Sequence, residues 1–137
     1  MSNESLRTAG IVLVVLPAVV FGGASLLWHW ITRQTSYYDN PLRRSLWRAG
    51  HAHAGVLLIL SLVAVDLVDH ADLSSSWKQF VRTTIPAAAL LLPIAFFLSI
   101  ARPDAQHPNR LINLAYVGAV SLAAGTLTLG VGLLRAA

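Results

Sequence analysis

Four long apolar segments divide this chain, and charged or turn-forming residues bound each of them. They cover residues 9–31, 49–69, 80–101 and 111–134. A helix rises about 1.5 Å per residue, so about 20 residues cross ~30 Å of hydrocarbon. Each segment meets that length. The pattern predicts an all-α integral membrane protein: one membrane domain over residues 1–137, built as a bundle of four transmembrane helices. The first segment is read as a retained helix rather than a signal peptide. Its apolar part exceeds the usual ~7–15 residues, and bulky Trp28-His29-Trp30 stands where small residues would mark cleavage.

Interruptions within the segments refine this picture. Pro17 and then Gly22-Gly23 predict a kink in the first helix. Trp28 and Trp30 fit an interfacial belt at its end. The longest loop spans Thr32 to Arg48, and Pro41 is placed to start a short surface helix through Trp47. Trp47 and Arg48 then anchor the second membrane helix. Pro86 and Pro93 lie seven residues apart in the third, hence on one face. Asn109 is placed to cap the fourth. That helix carries Ser121-x3-Gly125, Thr126-x3-Gly130 and Thr128-x3-Gly132. Such spacing lets helices approach closely, within one chain or between protomers.

Composition narrows the chemistry. Charged residues make up 12% of the chain and hydrophobic residues 55%, against about 25% charged in a soluble domain. The absence of cysteine excludes disulfides, iron–sulfur clusters, thiolate zinc and covalently attached c-type haem. The lone Met is residue 1, so His and Asp remain as the plausible metal ligands. A net charge of +4 reads as arginine and lysine meeting lipid head groups, not nucleic acid. The loops after the first and third segments carry six of the ten Lys and Arg: Arg33, Arg43, Arg44, Arg48, Arg102 and Arg110. The positive-inside rule puts those loops in the cytoplasm and both termini outside, in a plasma (inner) membrane.

Candidate chemistry centres on Gly50-His51-Ala52-His53-Ala54-Gly55, where the second segment leaves water. Imidazoles cost free energy at that depth. Alternate crossings put His29, His51, His53 and His107 on one side, four of the five histidines, with Asp39 and Asp104 in the adjoining loops. Neighbours i and i+2 point about 200° apart on a helix. His51 and His53 therefore cannot chelate one ion from a regular helix. One is a ligand and the other faces head groups, or each serves its own site, or Gly50 allows an irregular first turn. At the far end of the same segment, Asp66 and His70 are i and i+4 and share a face, so His51, His53, Asp66 and His70 form the candidate metal set. Asp69 and Asp72 read as solvated acids at the helix exit. Asp66 lies about one turn inside the apolar run and projects within about 60° of His51.

The Gly50–Gly55 opening resembles the His-x-His helix openings of NnrS-like and haem–copper membrane proteins. That resemblance implies a haem b or a transition metal (Cu, Fe or Zn), with His51 or His53 as axial ligand and His29 or His107 as its partner. It also implies that Gly55 gives a flat macrocycle room. The expected function is binding of such a group for electron transfer or sensing. Two other classes fit the same segments. One is a small oligomeric transporter or channel with Asp66 and the third-segment prolines near its path. The other is an accessory subunit docked on a larger membrane complex, or a homo-oligomer, through the small residues of the fourth helix. No Ser–His–Asp spacing, phosphate loop or His-Glu-x-x-His motif argues for a hydrolase.

Overall fold

A computed structural model describes residues 1–137. The chain is all-helical: α1 (Asn3–Ile31), α2 (Thr35–Tyr38), α3 (Pro41–Leu67), α4 (Ser75–Ser99) and α5 (Leu114–Ala136). Two 3-10 turns, Val68–His70 and Arg110–Asn113, extend α3 and lead into α5. Four of the helices are long and apolar enough to cross a membrane. The protein is a four-transmembrane-helix bundle, as its apolar pattern predicts.

Helix starts differ from the sequence expectation. Pro41 does not open a separate surface helix that stops at Trp47. It begins α3 itself, which runs unbroken to Leu67. Asn40 caps it by accepting from the Arg43 N–H at 3.0 Å, and Pro at the first helical position has no N–H to leave orphaned. Nothing between Trp47 and Ala49 breaks the helix. Gly50 stays regular because its bare Cα lies against Phe96 and Phe97, where an added Cβ would sit 3.0 Å from the Phe97 ring. The membrane helix thus gains two turns outside its apolar run. Asn109 caps the 3-10 turn before α5, accepting from Leu111 N–H at 2.8 Å.

Packing follows chain order. α3 lies against α4, α4 against α5, and α1 against α3 with little else. Only 6% of the most apolar window of α1 is buried inside the protein, against 44% for α4. α1 is therefore the peripheral helix, and its Val14, Val20 and Phe21 face outward. One core cluster joins Val12 of α1 to Leu57, Leu58, Ala88, Ala89 and Leu92. A second joins Ala64, Val68, Val81, Ile85 and Leu129.

The small residues of α5 divide between two faces. Gly118, Gly125 and Gly132 recur at every second turn and meet Leu92, Ile85 and Leu73 within the chain. Ser121 Oγ donates to the Thr84 carbonyl at 2.8 Å, tying α5 to α4. Gly130 has open space at its Cβ position. These faces give opposite expectations. A Cβ on Gly125 would lie 2.5 Å from Thr84 Oγ1 and 2.7 Å from Ile85 Cγ1, so Gly125→Val forces α4 and α5 apart and costs about 1–3 kcal/mol. Gly130→Val leaves stability within about 0.5 kcal/mol. Unfolding in mixed micelles, followed by circular dichroism, measures both.

A buried arginine anchors each end of the bundle. Arg43 donates Nε to the Ile100 carbonyl at 3.2 Å, Nη1 to Ser36 O at 3.1 Å and Nη2 to Ala101 O. Its guanidinium also lies 4.5 Å from the Trp47 ring centroid. Carbonyls left open at the end of α4 thereby meet a fixed cation, which complements the helix dipole. At the other end Arg82, 7% exposed, pairs with Asp69 at 2.6 Å. It also donates to Ser5 Oγ at 2.8 Å and Ser2 Oγ at 3.0 Å. The backbone N–H of Ser2 donates to the other Asp69 oxygen at 2.6 Å. This network holds the start of α1 against α3 and α4.

Candidate functional site

The site lies where α1 crosses α3 near the loop-one end. Gly22 and Gly23 remove two side chains from the α3-facing surface of α1. The His51 ring fills the notch they leave, and a Cβ on Gly23 would come within 2.9 Å of His51 Nε2. The glycines that suggest a kink in the sequence are thus the seat of an imidazole. Adjacent glycines inside an apolar helix were the available signal for a close neighbour; which neighbour depends on the helix crossing.

His51 opens onto two spaces. The larger is a cavity of about 710 Å³ lined by Gly23, Leu26, Leu27, Trp30, Tyr37, Arg48, Ala49 and Ala52 besides His51. The smaller, about 180 Å³, reaches toward Leu58, Pro93 and Phe97. His51 is half-buried and makes no hydrogen bond within the protein. The other two helical histidines of this layer do. His29 Nδ1 donates to the Ser25 carbonyl at 2.7 Å, and His53 Nδ1 donates to Ala49 O at 2.7 Å. A carbonyl only accepts, so those bonds fix the proton on Nδ1.

The layer of histidines is dispersed around the bundle. His51 points at α1. His53 points away from it and packs its ring 5.1 Å from that of Phe96, as the period of a regular helix requires. His29 sits in an aromatic group with Tyr37 at 5.8 Å and Trp47 at 6.1 Å, and Trp47 Nε1 donates to Phe97 O at 3.3 Å. His107 is exposed in the segment between α4 and α5. No three of the His, Asp and Glu side chains come together as a group that could hold a metal ion. The first-turn irregularity allowed by Gly50 does not occur.

The far end of α3 departs from its sequence reading. Asp66 and His70 are both exposed. Asp69, expected to be solvated, is instead the half-buried partner of Arg82. The reason is local. Asp69 follows the buried Leu58 and Val65 at i+11 and i+4, so the helical period carries it onto the face that packs against α4. Gly55, expected to make room for a macrocycle, lies opposite Val19, whose Cγ1 would be 3.8 Å from an added Cβ; Gly23 lines the cavity.

Because only the His51 side chain fills the notch, Gly23→Val tests it directly. The added methyls displace the imidazole rather than the helices, since a ring can rotate where backbone cannot. Global stability falls by less than about 1.5 kcal/mol, while any ligation through His51 is lost. Parallel unfolding and ligand-binding measurements separate the two effects.

No protein-family model matches this chain, no curated protein matches it, and no solved structure matches it. The site is therefore read from its own geometry.

Proposed function

We propose that this protein binds haem b through the imidazole of His51 in the cavity between α1 and α3. The observation that carries the reading is the state of His51. It is a half-buried imidazole with no hydrogen bond to the protein, on the wall of an apolar cavity. Polar groups in such surroundings usually have partners. A ligand would supply one.

The cavity suits an amphipathic planar group. Gly23 keeps the α1 wall low beside His51, and Leu26 and Leu27 offer apolar surface. Arg48 lines the same cavity and would meet the carboxylates of a haem. When bound, the group supplies redox or small-ligand chemistry, for electron transfer or sensing. His51 holds it in place, and the leucines and Trp30 exclude water. The excess of arginine at the loop-one end supports reading this site as cytoplasmic, at a plasma membrane.

Purified wild-type protein from haem-replete cells tests the proposal. A reduced-minus-oxidised spectrum should show a Soret band, and elemental analysis should find Fe in proportion to the chain. Protein with neither overturns it.

A further inference from the structure

We propose that the loop-one end of the bundle holds the phosphate of an anionic phospholipid between Arg44 and Arg48, with Arg33 adding its charge from over the adjoining Tyr38 ring. The inference stands on a separate set of cations and does not depend on the His51 reading, although Leu27, Trp30 and Arg48 border both places.

The three cations have no acidic partner. The ion pairs of the protein are Arg82 with Asp69 and Arg102 with Asp104. Two of the three arginines are held in place by aromatic rings. Trp30 and Tyr38 pack with centroids 5.1 Å apart. Arg33 lies over the Tyr38 ring at 5.7 Å and Arg44 over the Trp30 ring at 5.5 Å. Arg44 Nη1 is further fixed by donating to the Tyr38 carbonyl at 2.7 Å. Arg33 reaches its ring from a left-handed backbone, φ 49°, a conformation usually left to Gly. A cation stands where a glycine would relax the turn.

Arg44 and Arg48 stand one turn apart and, with Pro41 and Ser45, line a polar cleft of about 340 Å³. Ser45 offers a hydroxyl to the same space. Immediately toward the membrane, Leu27, Trp30 and Ile31 are exposed and apolar. Fixed guanidinium groups above an exposed apolar wall match a lipid: phosphate oxygens against arginine, acyl chains against α1. A zwitterionic head group would bring its own ammonium among three cations, so a net negative one is preferred.

Brominated lipids near Trp30 read this out. The protein carries Trp28→Phe and Trp77→Phe, both at exposed positions, and is placed in vesicles of equal phosphatidylglycerol and phosphatidylcholine. Bromine is put on one lipid at a time, near the glycerol end of its chains. Brominated phosphatidylglycerol should quench the remaining fluorescence more strongly than brominated phosphatidylcholine, with preference falling about fivefold for each arginine removed. Arg33→Gln with Arg44→Gln should erase most of it, Arg33→Lys with Arg44→Lys should retain it, and Arg135→Gln at the opposite end should not change it. Equal quenching in the parent protein overturns the proposal, as does a preference that survives the double Gln variant or disappears in Arg135→Gln. Reversal by inorganic phosphate would assign the cleft to free phosphate and overturn the lipid. Arg48 is left intact throughout, so the Soret band of the same samples reports the His51 reading separately.

Discussion

His51→Ala removes the Soret band from the purified protein, whereas His53→Ala and His29→Ala retain it. The expected loss of affinity is at least about 100-fold, because removal of an outer-shell partner alone costs 10–100-fold and a direct ligand costs no less. The three histidines share a membrane layer but not an environment. His29 and His53 each place Nδ1 on a carbonyl of their own helix, so truncating either frees a carbonyl near the bilayer surface and leaves the cavity intact. His51 spends neither nitrogen on the protein and borders about 710 Å³ of cavity. Retention of the band in His51→Ala, with loss in His53→Ala, would move the site to the lipid side of α3 beside Phe96. Free imidazole added to His51→Gly should restore part of the spectrum, which a merely structural defect would not allow.

Arg82→Ala lowers the unfolding free energy by about 3–5 kcal/mol, among the largest effects expected of a single change away from the cavity. Removing one member of a buried pair leaves the other charge unpaired. Arg82 is 7% exposed, and its partner Asp69 is 16% exposed in its side chain. The loss extends beyond the pair, because Arg82 also holds Ser2 and Ser5 at the start of α1. α1 has few other attachments, so amide exchange should rise in its first turns before the rest of the bundle opens. Replacing both members, Arg82→Leu with Asp69→Leu, should cost clearly less than the sum of the single changes. Strict additivity in unfolding experiments would show that the two side chains act independently.

Much of the architecture was legible in the chain. Four apolar runs of sufficient length, no cysteine and few charges led to a four-helix membrane bundle, and the 3.6-residue period required His51 and His53 to face apart. Those conclusions depend on local quantities: hydrophobicity summed over a window and the angle between near neighbours on a helix. They hold before any helix meets another.

Contacts between helices were decided by the tertiary structure. Gly22-Gly23 became the notch for His51 only because α1 crosses α3 there. Gly118, Gly125 and Gly132 became an internal seam because α5 packs on α4, while Gly130, in the same kind of motif, faces outward. Asp69 changed from a solvated acid to the partner of Arg82 because packing brings Arg82 of α4 and Ser2 at the start of α1 to it. Arg43, one of four basic residues in the first loop, was drawn inward by carbonyls that the end of α4 leaves unpaired. The sequence by itself determined which segments enter the membrane, since that free energy is a sum over residues. Which polar groups meet inside was settled by the crossings of the helices, since a hydrogen bond or a cavity wall depends on positions that only packing defines.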